Sequence, residues 1–418
     1  MAVFPQQKPR GFSTICLPIE KALYERIVVS PELFRDFLDR SYRENPELFP
    51  EAFASGYLLK DDRVSVKLGV RLRRIECKRT NEAFTIRPSF VMPYMTAFTD
   101  DVADPLFLRR FGVPFWALTH VFGRSDMYWY RLEISLGRNS IVGTTVRHAE
   151  MPEHLLADEH HQRLEGEKIF IATTVAEGCC LGASVIDTAD EVALTEAYQT
   201  FKSEAVNVEP NYAPKSVNVD GWQATQLAWL ALFPLIGILR CFLHGWLSIR
   251  ERCKKDKDFH AAGDKVWDAY EAPDRRSFGQ RLRRLREWAT KTLKGVLLEK
   301  VLKLCSRNEE YAAAYKHPEG HRTSNMLDRV MKPMNEYFQG CQRLHGEPDA
   351  AELHCRAWAL LHNFASWSPA AVKANDGWQN PAERLNQHRY HENWLQNLLV
   401  SASLAGYRRR IAAPQNPV

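Results

Sequence analysis

Three aspartates in this chain stand where a divalent cation could be held. Asp158 lies in "LLADEHHQ", Asp220 ends the β-branched run "SVNVDGW", and Asp328 follows Thr323 and Ser324 in "HRTSNMLDR". Carboxylates are hard oxygen donors, and Mg2+ prefers such donors while keeping several of its waters. Two divalent ions roughly 4 Å apart, bridged by a shared carboxylate, are a common device for hydrolysing or exchanging phosphodiesters. The plainer reading of Asp220 is a surface turn, because Asp-Gly is a frequent turn pair. What separates the two readings is whether other carboxylates reach the same place. Cys241 and His244 in "LRCFLHGW" are candidate supporting groups. His160 and His161, just after Asp158, read better as a polar strand end than as ligands. A zinc set of Cys241, His244, Cys253 and His260 has uneven spacing across two elements, which disfavours a tetrahedral site.

The elements around these residues follow from periodicity. From about residue 150 the pattern predicts a short strand ending near Asp158, strands over 168–174 and 181–186, and a helix in "DEVALTEAYQTFKSEAV". The strand ending at Asp220, an apolar helix, and a further strand through "GILRCFLHGW" come next. This β-β-β-α-β-α-β order is that of a ribonuclease-H-like mixed sheet, so the fold class is α/β. In such a sheet Asp158 ends the first strand and Asp220 the fourth, side by side at the centre. Helical, charged sequence from 246 to about 320 predicts an all-helical insertion. The final helix of the core follows at 321–345, and a helical region with a basic tail at 346–418.

With 418 residues and 45% hydrophobic content, the chain can bury a large core and divide into domains. Its net charge of +5 is mild, so polyanion binding must come from local clusters. Nine scattered cysteines with no CxxC pair suggest a reducing cytosol rather than a disulfide framework. The first twenty residues lack the apolar centre of a signal peptide. The run at 227–247 is broken by Pro234, Arg240 and His244, and falls short of the roughly 20 apolar residues of a membrane span.

Basic clusters point to nucleic acid. Residues 1–100 read as a helical preamble, with Ser30 capping and Pro31 at N1, followed by a basic β-hairpin carrying Arg71, Arg73 and Arg74. Residues 101–149 predict a helix ending near Gly112, a second over 114–122, and a third from Asp126 capped by Ser125. This is helix-turn-helix spacing. The region would bring Arg124, Tyr128, Trp129, Arg131 and Arg138 toward DNA. In the insertion, "RRSFGQRLRRLR" places Arg275, Arg276, Arg281, Arg283, Arg284 and Arg286 on one helix, where they would repel one another without an anionic partner.

Taken in order, "LLADEHH", "SVNVDGW", "LRCFLHGW" and "HRTSNMLDR" resemble Mutator-type bacterial insertion-sequence transposases of the DDE, ribonuclease-H-like superfamily. The resemblance covers roughly residues 150–340. It implies Asp158, Asp220 and Asp328 as catalytic metal ligands, with Cys241 and His244 matching a C/D-x-x-H motif. It further implies Mg2+ or Mn2+ as cofactor, DNA cleavage and strand transfer, double-stranded transposon ends and target as partners, and a dimer or larger active complex. A bacterial, cytoplasmic, nucleoid-associated location accompanies this. The third acid of that family is normally glutamate in a "TN-x-x-E" stretch, whereas this chain has Asp328. Glu336 and Glu392 are alternatives, and a catalytically retired DNA-binding descendant is the competing expectation.

Overall fold

Two mixed β-sheets carry this α/β protein, whose computed structural model describes residues 11–341, 344 and 346–410. The first sheet is built from β1 (Thr14–Leu17), β2 (Tyr57–Val64), β3 (Arg71–Cys77) and β4 (Ala83–Pro88), in the order β1-β4-β3-β2. Between β1 and β2 lie α1 (Lys21–Ile27) and α2 (Pro31–Glu44). The α2 start is the one its sequence specifies: the Ser30 side chain accepts from Leu33 N, and Pro31 stands in the first turn, where its missing N–H costs nothing.

Four short helices follow: α3 (Ala103–Arg109), α4 (Phe115–Phe122), α5 (Asp126–Leu136) and α6 (Ile141–Thr145). Ser125 caps α5 through Tyr128 N, as its position suggests. The C-terminal half of α5, however, is buried on every side from Leu132 to Leu136.

The second sheet comprises β5 (His154–Leu164), β6 (Glu167–Ala176), β7 (Cys179–Ile186), β8 (Ser216–Val219) and β9 (Gly237–Arg240), in the order β7-β6-β5-β8-β9. The first three strands are antiparallel, while β8 and β9 add in parallel. Their crossovers are α7 (Glu191–Val208) and α8 (Gln223–Leu232). Two expectations are corrected here. Asp158 sits in the middle of an eleven-residue β5, because the strand continues along β6 as far as Leu164. The strand expected through Cys241 and His244 stops at Arg240, and both residues begin a helix instead.

That helix is α9 (Phe242–Cys253), followed by α10 (Phe259–Tyr270), α11 (Arg275–Thr292), α12 (Gly295–Ser306) and α13 (Asn308–Ala312). These helices enclose a core of their own, including Phe242, Val266, Phe278, Leu285 and Val301. The chain then returns to the sheet as α14 (Asn325–Gly340), which packs on β5 and β6. No helix among the described residues is long and apolar enough to cross a membrane.

The C-terminal region is structural rather than a basic tail as far as Arg410. It contains α15 (Pro348–Phe364), α16 (Pro369–Ala374), α17 (Pro381–Asn386) and α18 (Trp394–Ser401). From Cys355 to Phe364 every residue of α15 is buried, and it packs on both α5 and β7. Arg408 donates to the carbonyls of Val146 and Arg147, Arg409 pairs with Glu82, and Arg410 donates to Asn207 O and Val208 O. The end of the expected tail, 411–418, lies outside the described residues. One apolar cluster runs from Ile15 through α14, α15 and α18, so the two ends of the chain share a core.

A buried ion pair ties this assembly together. Glu204 of α7 accepts from Ser140 Oγ at 2.9 Å, Val142 N at 3.0 Å and Arg356 Nη2 of α15 at 2.5 Å. Removing one partner leaves the other charge buried and uncompensated, which costs about 3–5 kcal/mol. Glu204→Ala is therefore expected to lower the free energy of urea unfolding by about that amount, and Glu204→Ala with Arg356→Met by clearly less than the single variant.

Candidate active site

The site is built by strand register. The parallel pairing of β5 and β8 runs His154↔Ser216, Leu155↔Val217, Leu156↔Asn218. Carried two residues further, that register sets Asp158 level with Asp220. Strand side chains alternate between faces, so Asp158 shares the face of Leu156, on which α14 packs. Its neighbour Glu159 is turned to the opposite face, toward α7 and α8.

Asp220 follows the last residue of β8. Its Oδ1 accepts from Trp222 N at 2.7 Å, closing a tight turn into α8. Gly221 between them has φ +99°, and a Cβ there would lie 2.3 Å from the Arg240 guanidinium carbon. The left-handed backbone requires glycine, and any side chain there would also have to displace the Arg240 guanidinium. Asp158 Oδ1 accepts from Glu159 N at 2.9 Å, and Asp328 Oδ2 from Ser324 Oγ at 3.2 Å. One oxygen of each carboxylate is thus oriented by a local hydrogen bond.

The electrostatics couple these groups. Burial raises the Asp158 carboxyl, and the neighbouring charge of Asp220 raises it further, with a smaller contribution from Asp328; His244 opposes them. A buried carboxyl raised by a carboxylate beside it is a place where a cation or a proton is favoured. His244 is pushed up to about 9, first by its hydrogen bond with Cys241 and then by the charges of Cys241, Asp158 and Asp220. Burial raises the Cys241 thiol, but the hydrogen bonds from His244 and Ser324 outweigh it and lower it overall. Ser324 N donates to Cys241 Sγ at 3.2 Å, which links the start of α9 to the start of α14. Cys241 and His244 thus support the carboxylates from a helix N-terminus rather than from a strand.

The third acid is the most open member. Asp328 is exposed in the first turn of α14. Among the described residues, no group of three or more His, Cys, Asp or Glu side chains is gathered tightly enough to hold a metal ion, which also applies to Cys241, His244, Cys253 and His260. Glu336 is exposed near the end of α14, and Glu392 pairs with Arg389 at 3.1 Å. His160 stacks on Phe338 and His161 lies against Phe170, both held below the usual histidine range by burial.

The basic residues divide into spent and available. Arg71 pairs with Asp62 and Arg74 with Asp61, while Arg73 donates to Val28 O and lies over Phe34. The expected wet, positive hairpin face is therefore largely neutralised by its own aspartates. In the three-helix segment Arg124 stacks on Tyr128, Arg138 donates to Tyr94 Oη, and Arg131 is exposed. Trp129 is a packing residue: it is buried, and its Nε1 donates to Gly123 O. On α11, Arg275 pairs with Glu309 and Arg281 with Asp268. Arg276, Arg283, Arg284 and Arg286 are exposed and make no ion pair among the described residues. A groove of about 680 Å3 is lined by Arg275, Arg276, Arg283 and Arg286 together with Asn308.

Two features escaped sequence reading. A small cleft holds Asp220 and His244 together with Lys300, Lys303, Arg307 and Arg240, the last paired with Glu310, so cations share a cleft with the Asp220 carboxylate. Those lysines read in sequence as an ordinary helix surface, and only the packing of α12 on α9 brings them here. The other is Glu159, buried and accepting from Tyr198 Oη at 2.7 Å and Thr225 Oγ1 at 2.9 Å. Its place one residue after Asp158, in a strand covered on both faces, was the available signal.

No protein-family model matches this chain, and no curated protein matches it at a significant level.

Burial pushes the Glu159 carboxyl up to about 7, with the Asp158 charge adding to the effect against its hydrogen bonds. An acid whose folded pKa is raised contributes least destabilisation when protonated, so this part of stability is present below about 4.3 and falls as pH rises to about 7. Glu159→Gln should abolish that fall. In EDTA-containing buffer, the stability of the variant relative to wild type is expected to rise by about 3 kcal/mol between pH 4 and pH 8, read by urea unfolding.

Proposed function

We propose that this chain is a DNA transposase with a ribonuclease-H-like core, cutting and joining phosphodiesters with divalent metal. The observation that carries the proposal is the register that levels Asp158 with Asp220 on adjacent central strands, with the Asp328 turn of α14 within electrostatic reach. The strand order, three antiparallel strands followed by two parallel ones with helical crossovers, is compatible with that core. The helical insertion after β9 and the return through α14 fit the same plan. Under this reading, α3 to α5 form the helix-turn-helix, with the exposed first turn of α5 and Arg131 offered to DNA.

Three aspartates supply oxygen donors only, and that chemistry fits Mg2+ or Mn2+. When bound, such ions activate an attacking water or 3′-hydroxyl and stabilise the leaving oxygen. Asp158 would hold them from the middle of β5 and Asp220 from the end of β8, and Asp328 would close the set by an inward shift of the first turn of α14. His244, carrying a proton near neutral pH, donates a hydrogen bond toward the reacting phosphate and balances the acids. Lys300, Lys303 and Arg307 hold the phosphates flanking it, and the exposed arginines of α11 extend this contact. Double-stranded transposon ends and target DNA are the partners, and joining two ends calls for at least a dimer.

One observation favours a second reading. Asp328 is exposed, and the carboxylates are not gathered into a metal cluster, as in a DNA-binding protein that has lost catalysis. Cleavage and strand transfer on DNA carrying the ends flanking this gene, with Mg2+ or Mn2+, decide between the two. Wild type should cut, and Asp158→Asn and Asp220→Asn should each lower the rate by about 10³-fold or more. Asp328→Asn should do the same, whereas Asp328→Glu should retain activity. DNA that is bound by wild type but never cut assigns the protein to the second reading.

A further inference from the structure

We infer that the N-terminal sheet carries a binding site for a phosphate group, separate from the carboxylate site and centred on Arg87. The alternation in "AFTIRP" sends Phe84 and Ile86 into the core and leaves Thr85 and Arg87 on the other face of β4. Pairing then sets a row across the sheet. Cys16 of β1 is the partner of Arg87, Leu72 of β3 falls opposite it when the β3–β4 register is extended, and Arg63 of β2 is the partner of Leu72. One step along the strands, Thr14 pairs with Thr85. A cavity of about 400 Å3 opens over this row, closed by Tyr94, by the end of α5 and by Ala402 and Ala405.

Arg87 is 7% exposed, and its Nε has no hydrogen-bond partner. The other buried arginines among the described residues are all compensated. Arg109 pairs with Glu133, Arg356 with Glu204, and Arg147 donates to the carbonyls of Ser401 and Ser403. Arg87 makes no ion pair among the described residues, and the side chain beside it is the Cys16 thiol, which burial keeps protonated. A buried cation without a counter-charge is unfavourable unless an anion joins it.

The walls suit that anion. No acidic side chain lines the cavity, and Arg63 brings a second guanidinium to its rim. Thr14 and Thr85 present hydroxyls, and Tyr94 Oη, which accepts from Arg138, keeps its own proton to donate. Ser135 and Asn139 also line the space, where the Ser135 hydroxyl is used on Leu132 O and one amide N–H of Asn139 on Leu136 O. Two guanidinium forks and three hydroxyls outnumber the two oxygens of a carboxylate and match the several oxygens of a phosphate. The backbone is also strained here, with Tyr94 at φ +62° and Ala405 at φ +56°, as is common where a ligand is held. The phosphate can come from a small molecule or from the 5′ end of a DNA strand.

The test is thermal unfolding and titration calorimetry in phosphate-free buffer, with inorganic phosphate, a 5′-phosphorylated oligonucleotide and its unphosphorylated counterpart. Phosphate should raise the Tm of wild type. Arg87→Met should lose that rise and weaken phosphate affinity at least tenfold, while its ligand-free Tm equals or exceeds that of wild type. Thr85→Val, which keeps the arginine, should weaken phosphate severalfold and carries the test should Arg87→Met fail to fold. A larger shift with the phosphorylated than the unphosphorylated strand assigns the group to a DNA end, and a shift with inorganic phosphate alone assigns it to a small molecule. No shift with any phosphate-bearing probe, or a shift retained by both variants, overturns the inference.

Discussion

The parallel pairing of β5 with β8 spans only three residue pairs, yet the whole candidate site depends on it. Strand geometry makes register an all-or-none matter, since a slip of one residue turns every side chain to the opposite face. Here both faces are closed. Leu155, Ala157, Val217 and Val219 belong to the cluster under α7 and α8, and Leu156 belongs to the cluster that contains α14 and α15. A slip would drive Asp158 into the apolar layer beside Trp229 and bring Ala157 to the carboxylate side. The hydrophobic demand of two layers therefore fixes the position of a charge.

Charge compensation is the second organising constraint. Burying a charge is tolerated only when it is paired or hydrogen-bonded, and this chain meets that condition at Arg109, Arg147 and Arg356 by linking distant segments. The same pairing removes the hairpin arginines from the pool available to a polyanion. Of the cations near the candidate site, those without an ion pair among the described residues lie on the exposed face of α11 (Arg276, Arg283, Arg284, Arg286) and in the cleft between α9 and α12 (Lys300, Lys303, Arg307). A net charge of +5 conceals this separation, because ion pairs cancel locally.

The helix boundaries were written in local sequence. Ser30 with Pro31, Ser125, and Asp190 before α7 start their helices where side-chain capping chemistry places them. Gly221 was legible as a turn, although the approach of Arg240 to it was not. The extent of β5 was misjudged because "DEHHQR" is polar, and a strand paired on one edge and packed through alternate residues tolerates such a run. "CFLHGW" was read as strand from its apolar content, but a helix beginning at Phe242 serves the same residues by burying Phe242 in the insertion core.

By itself, the sequence determined the strand and helix order of the second sheet as far as β9, the caps at Ser30 and Ser125, and that Asp158 and Asp220 stand at that sheet, since these rest on neighbouring residues and on periods of two and 3.6. Only the tertiary structure decided which charges meet. It set Asp158 level with Asp220, left Asp328 exposed, brought Lys300 and Lys303 into one cleft with Asp220, drew "RRR" at 408–410 onto backbone carbonyls and Glu82, and left Arg87 buried without a counter-charge. Each of these joins residues far apart in the chain, through register and helix packing, and no local pattern records such distances.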